Sequence, residues 1–81
     1  MAGYHRREIR RGVLGESSKI REELEELEDA EDQENTILVH CELADLYGAL
    51  RACAREYGLT AEDLVTMADA TEQAFMDGSR K

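Results

Sequence analysis

The chain has 81 residues, of which 42% are hydrophobic and 36% charged, and it contains no Pro. This length allows one domain, residues 1–81, and the scarcity of turn residues argues against a β-sandwich or barrel. A net charge of −9 argues against a nucleic-acid partner, and no apolar run reaches the roughly 18 residues of a membrane span.

A basic N-terminal segment, residues 1–11, precedes an acidic body. Residues 1–21 carry six Arg and Lys against two Glu, a balance of +4 that leaves −13 for the other sixty. No apolar stretch follows the early positive charges, so we expect no secretory signal and a cytoplasmic protein. The sequence predicts a short basic helix over Tyr4–Arg11, which ends where Gly12 and Gly15 follow.

A first long helix is predicted to begin near Ser17. Its apolar residues recur at helical spacing and form one stripe, which should face the core. The stripe consists of Ile20, Leu24 and Leu27. Glu23 and Glu26 lie beside this stripe and are expected to border the core.

Two further helices are predicted in the second half of the chain. One follows a cap at Asn35 or Thr36, runs from Ile37 to about Tyr57 and is expected to end at Gly58. It is apolar almost all round, which is typical of a central, buried helix. The other follows a capping pattern that starts at Thr60, and it stops at Gly78. The fold class is therefore all-α, a bundle of three to four helices. So short a chain without disulfides or zinc buries little surface, so we expect a dimer or higher assembly to complete it.

Two pairs of acidic residues are each spaced three apart on the predicted helices. Glu23 and Glu26 form one pair and Glu42 and Asp45 the other, and this spacing places each pair on one helix face. If the two helices pack antiparallel, the four carboxylates converge. A partly buried group of this kind needs a cation, and Mg²⁺ prefers carboxylate, water and phosphate oxygens. The two histidines, His5 and His40, stand alone without zinc-type spacing.

Two sequence segments resemble one enzyme family. The run Glu22–Ala30, EELEELEDA, resembles the E-E-x-x-E-(V/L)-x-(D/E)-A segment of the MazG-like, all-α nucleoside triphosphate pyrophosphohydrolases. The run Glu42–Leu46, ELADL, resembles their second E-x-x-D element. Fifteen residues separate Glu26 from Glu42, which fits the family's order and gap. The resemblance covers roughly residues 12–57.

The resemblance implies an enzyme that hydrolyses a (d)NTP to the monophosphate and pyrophosphate. It implies that Glu23, Glu26, Glu42 and Asp45 hold Mg²⁺, with Mn²⁺ as a substitute, and that Glu22 is an outer ligand or orients water. Glu22, Glu23 and Glu26 are thus the expected catalytic residues. The family assembles as dimers or tetramers, and its sites often combine residues of neighbouring subunits.

A cation beside the carboxylates would help to hold the substrate phosphates. Lys19 is the best candidate by position, although an ion pair with Glu23 one turn later is an equal alternative. Weaker candidates lie near the two ends of the chain. They are Arg10, Arg11, Arg80 and Lys81.

Two other functions compete with this interpretation. One is phosphoribosyl-ATP pyrophosphohydrolase, ranked lower because Leu46-Tyr47-Gly48 lacks the His expected after the second motif in that branch. The other is a non-catalytic acidic helical module that dimerises and binds a basic partner. Such a module would tolerate Glu42→Gln with little loss of function.

Overall fold

The computed structural model describes residues 4–80 and contains three helices. They are α1 (Ser17–Asp32), α2 (Thr36–Glu56) and α3 (Ala61–Met76). Residues 4–80 contain no strand, and the predicted all-α bundle is confirmed. Within these residues, no helix is both long enough and apolar enough to cross a bilayer.

A three-residue connection, Gln33–Asn35, joins α1 and α2 into a helical hairpin. The N–H of Asn35 donates to the carbonyl of Ala30 at 3.2 Å, and Glu34 takes a left-handed conformation with φ of 55°. The Asn35 side chain then accepts from the N–H of Leu38 at 3.0 Å and caps α2. Asn35 thus closes one helix and opens the next, which fixes how α2 returns along α1.

The connection from α2 to α3 follows the predicted signals. Gly58 has φ of 82°, and the N–H of Leu59 returns to the carbonyl of Ala54 at 3.0 Å, a Schellman ending. Thr60 and Asp63 form the predicted capping box at the start of α3. Within residues 4–80, α3 packs against α2 and not against α1, and none of its residues is buried.

The N-terminal segment departs from the sequence prediction. Residues 4–16 form no helix, so the short helix predicted over Tyr4–Arg11 is wrong. The physical reason is that side chains of α1 take backbone donors of this segment. The N–H of Arg6 donates to Asp29 at 3.0 Å, and the N–H of Gly12 donates to Glu22 at 2.8 Å. The segment therefore lies along α1 in an irregular conformation.

The buried face of α1 is acidic, contrary to the predicted apolar stripe. Leu24 is 43% exposed, whereas the buried residues of α1 are Glu22, Glu23, Glu26, Asp29 and Ala30. The prediction was wrong because the N-terminal segment and Glu42 of α2 cover the acidic face, which leaves Leu24 exposed and Ile20 and Leu27 only half-buried.

The prediction that α2 is buried all round is also wrong for this chain. Leu38, Ala49 and Ala52 are its buried apolar residues, and Leu43 is 49% exposed. The small side chains let α1 approach α2 closely. The opposite side of α2 is open because α3 covers little of it.

Candidate functional site

Carboxylates from α1 and α2 converge between the two helices. Glu22, Glu26 and Asp29 recur at spacings of four and three on α1 and therefore share a face. Glu23 lies at the edge of this face, and Glu42 projects from the facing side of α2. These five carboxylates are 2–7% exposed, which makes the interior of the hairpin unusually acidic.

Potential ligand atoms form three overlapping groups, each lying within 4.8 Å of one another. The groups are Glu22–Glu23–Glu26, Glu23–Glu42–Asp45 and His5–Glu26–Glu42. Among the described residues, one group therefore unites Glu23, Glu42 and Asp45, whereas Glu26 joins Glu23 and Glu42 in separate groups. Three of the four are buried, whereas Asp45 is exposed at the rim.

His5 belongs to this cluster, so the expectation that it stands alone is wrong. Its Nε2 lies 3.1 Å from Glu42 Oε2 and 3.2 Å from Glu26 Oε1. Its side chain is 4% exposed. Burial by itself would lower the pKa of His5, but hydrogen bonds to Asp29 and Glu42 and the charges of Glu42 and Glu26 raise it overall. The imidazolium form thus offsets part of the negative charge.

Asp29 anchors the N-terminal segment beneath His5. Its Oδ2 accepts from His5 Nδ1 at 2.8 Å, from the N–H of Arg6 at 3.0 Å and from Gln33 Nε2 at 2.9 Å. Burial would raise the pKa of Asp29, but these three donors lower it below its ordinary value. Gln33 also donates to the carbonyl of Tyr4 at 2.8 Å. Hydrogen bonds therefore hold the backbone of the residues before and after His5.

Glu22 and Lys19 form the other end of the cluster. Lys19 Nζ lies 3.2 Å from each Glu22 carboxylate oxygen and 3.2 Å from Glu23 Oε2. The ion pair weighed for Lys19 is therefore present. Burial opposes the ionised form of Glu22, but the N–H of Gly12 and the Lys19 ammonium lower its pKa overall. A side chain at Gly12 would overlap the backbone of Ser18, so glycine is required for this approach.

Two buried carboxylate oxygens have no hydrogen-bond partner within the described residues. They are Glu23 Oε1 and Glu42 Oε1. An unpaired buried oxygen is costly, and a carboxylate oxygen more so. Burial and the neighbouring charges of Glu22 and Asp45 raise the pKa of Glu23, although Lys19 opposes them. Burial and the charges of Glu23 and Glu42 likewise raise the pKa of Glu26.

The remaining cations lie around the cluster at different distances from it. Arg7 forms ion pairs with Asp32 and Glu28 on the outside of α1. Arg10 is exposed, and Arg11 lines a pocket of about 230 Å³ together with His5, Glu22 and Glu26. Arg80 instead contacts Phe75 and Thr71 of α3, and Lys81 lies outside the described residues.

A groove borders the cluster on the side of Asp45. It encloses about 430 Å³ and is lined by charged residues at one end and by small apolar residues along α2. The charged residues are Lys19, Glu23, Asp45 and Arg55. This groove places two cations and two carboxylates around one open space, an arrangement suited to a ligand that carries both phosphate and a metal ion.

Sequence reasoning missed His5, Asp29, Gln33 and Arg55. Asp29 had a detectable signal, because it follows Glu26 by three residues on the same helix face. His5 had none, since its contacts span 24 residues or more and depend on how an irregular segment crosses α1. Gln33 lies four residues after Asp29, but its contact with Tyr4 spans 29 residues. Arg55 lay too far along α2 to be linked to Asp45 by spacing alone.

Comparison of the chain with protein-family models, with curated proteins and with solved structures finds no significant match.

Proposed function

We propose that this protein is a Mg²⁺-dependent nucleoside triphosphate pyrophosphohydrolase that converts a (d)NTP to the monophosphate and pyrophosphate. The observation that carries the proposal is the pair of unpartnered buried oxygens, Glu23 Oε1 and Glu42 Oε1, within a converging carboxylate cluster. A protein without a cation to bind would gain stability by replacing such groups with apolar residues. The resemblance of both motifs to the MazG-like family supplies the reaction.

The donor set fits a hard divalent cation. Glu23, Glu26, Glu42 and Asp45 present oxygen ligands, which Mg²⁺ and Mn²⁺ prefer. Exposure of Asp45 leaves room for water and for a substrate phosphate at the rim. A bound Mg²⁺ would supply positive charge against the negative charge that develops on the phosphates.

The groove along α2 is the proposed substrate site. Lys19 and Arg55 line it and would contact the triphosphate, while Ala49 and Ala52 form an apolar wall beside them. Lys19 is already bonded to Glu22 and Glu23, so it can hold a phosphate beside these carboxylates without leaving them. Its three ammonium hydrogens allow both contacts.

The glutamates of α1 take different roles in this proposal. Both oxygens of Glu22 accept hydrogen bonds, and its pKa is lowered, so it serves as a positioning residue for Lys19 and Gly12. The pKa values of Glu23 and Glu26 are raised chiefly by burial. One of these two accepts the proton of the attacking water.

We further propose a homodimer or homotetramer that acts in the cytoplasm, where nucleoside triphosphates are made and used. The exposed apolar residues of α2 and the absence of buried residues from α3 support assembly. A second subunit would cover this apolar surface and close the groove beside it.

Pyrophosphate release tests the proposal. Wild type, Glu42→Gln and the matched control Glu31→Gln are supplied with NTPs, dNTPs and phosphoribosyl-ATP, with and without Mg²⁺. Glu31 is exposed on α1, so its substitution should leave activity unchanged. We expect Mg²⁺-dependent release that falls by at least about 100-fold in Glu42→Gln, the scale of losing charge stabilisation at a transition state. Folded wild-type protein that releases no pyrophosphate from any of these compounds would refute the proposal and favour the acidic interaction module.

A further inference from the structure

His5 Nε2 faces two carboxylate oxygens at once. It lies 3.2 Å from Glu26 Oε1 and 3.1 Å from Glu42 Oε2, and the His5 side chain is 4% exposed. A ring nitrogen carries at most one hydrogen, which points well at only one of two acceptors. Ligands about 2.0–2.1 Å from a metal ion are themselves about 2.8–3.4 Å apart in octahedral or tetrahedral geometry. Both distances from His5 Nε2 match this spacing, and ligand atoms of His5, Glu26 and Glu42 all lie within 4.8 Å of one another.

A hydrogen bond from the other ring nitrogen fixes the orientation of the His5 imidazole. Its Nδ1 donates to Asp29 Oδ2 at 2.8 Å, which leaves Nε2 directed at the two glutamates. Asp29 is in turn held by the N–H of Arg6 and the amide of Gln33. A carboxylate that orients the far nitrogen of a histidine is the usual support of a metal-binding histidine.

An independent observation points to a missing ligand at the same place. Glu42 Oε1 is buried and has no hydrogen-bond partner within the described residues, although Glu42 Oε2 is bonded to His5. The chemistry of the donors then selects the ion. Imidazole nitrogen suits Co²⁺, Ni²⁺ or Zn²⁺ far better than Mg²⁺, which favours oxygen ligands.

We propose that His5 Nε2, Glu26 and Glu42 form a second cation position that takes a divalent first-row transition-metal ion. This position lies beside the all-oxygen group of Glu23, Glu42 and Asp45. Because it shares Glu42 with that group, the inference rests in part on the proposed function. Occupation of this position would tie the N-terminal segment to α1 and α2 through a metal bond.

Binding of Co²⁺ alone tests the proposal, because its visible absorption reports nitrogen ligation and coordination number. Full-length protein without a polyhistidine tag is titrated with Co²⁺ and with Mg²⁺ by calorimetry and absorption. The variants are His5→Gln and the control His40→Gln, which changes an exposed histidine of α2. Circular dichroism confirms that both variants remain helical; His5 lies outside the helices.

Wild type and His40→Gln should bind Co²⁺ at least about 100-fold more tightly than Mg²⁺, in line with the greater affinity of nitrogen-containing sites for later metals. His5→Gln should weaken Co²⁺ binding by about 30-fold or more and change its absorption, with Mg²⁺ affinity altered less than about threefold. Asp29→Asn should weaken Co²⁺ binding by about 10- to 100-fold, the effect expected of an orienting partner.

Unchanged or tighter Co²⁺ binding by folded His5→Gln would overturn the proposal, because His5 would then act only as a charge partner that competes with the ion. This outcome is distinguishable from failure of the proposed function. If only the metal position is wrong, wild type still releases pyrophosphate with Mg²⁺, and Glu42→Gln still abolishes this release. Conversely, loss of Co²⁺ binding in His5→Gln sustains the metal position even if no nucleotide is hydrolysed.

Discussion

Glu42 and Leu43 are neighbours on α2, yet the carboxylate is 4% exposed and the leucine is 49% exposed. The same contrast extends along both regions. The space between α1 and α2 holds five buried carboxylates, whereas the outer face of α2 carries exposed apolar residues. That outer face consists of Leu43, Tyr47 and Leu50. A chain optimised for its own stability would bury the apolar side, so the inner region is explained better by binding and the outer one by assembly.

The largest expected effect tests the apolar outer face. We expect Leu43→Asp to weaken self-association by at least about 100-fold, or about 2.8 kcal/mol, because an exposed leucine in an interface would become a buried charge. Analytical ultracentrifugation over a concentration series measures this change. Val13→Asp is the matched control, since Val13 is also an exposed apolar residue but lies in the N-terminal segment. A wild-type chain that is monomeric at high concentration would contradict assembly through this face.

The next effect tests whether the buried carboxylates oppose stability. Glu23→Gln should raise the free energy of unfolding of the metal-free protein by about 1 kcal/mol, because a neutral amide replaces a buried charge that is poorly compensated. Burial, together with Glu22 and Asp45, raises the pKa of Glu23. The folded state therefore disfavours the charged form, so removal of the charge should stabilise it. Urea denaturation in chelator measures the change, and Glu31→Gln should give almost none. A destabilised Glu23→Gln would mean that the contact with Lys19 outweighs the repulsion.

A smaller effect is expected in the connection between α1 and α2, where neither region is touched directly. Glu34→Gly should raise the free energy of unfolding by about 0.5–1 kcal/mol, since glycine tolerates the left-handed backbone at φ of 55°. Glu31→Gly, in the last turn of α1, should instead lower it by up to about 1 kcal/mol. Thermal and urea unfolding of the pair measures both. Equal effects of the two substitutions would contradict this explanation.

The smallest expected effect is a pH dependence of the acidic region. The raised pKa of His5 means that the folded state holds this proton more tightly than the unfolded state. The stabilisation that protonated His5 provides is complete below its pKa in the unfolded state, about 6.5. It is lost as the pH rises through the pKa of His5 in the folded state. We expect the Tm of metal-free protein to fall modestly toward alkaline pH. His5→Gln should lack this part of the profile, whereas His40→Gln should retain it.

The predictable parts of this fold are those with local causes. Capping by Asn35 and Thr60, the ending at Gly58 and the pairing of carboxylates three apart all follow from residues within one or two turns. Helical periodicity alone did not reveal which face of α1 is buried. The decision depends on residues 4–16, whose backbone donors reach Glu22 and Asp29, and no sequence period encodes that path.

The passage of the N-terminal segment over α1 also constrains how the protein is made. His5 is synthesised before its partner Glu42, which follows 37 positions later. At about 5–20 residues per second, the interval lasts about 2–7 s. During it, His5 has its partner Asp29 on α1 but not its partner Glu42 on α2. The contacts of His5 are therefore complete only after α2 has been synthesised.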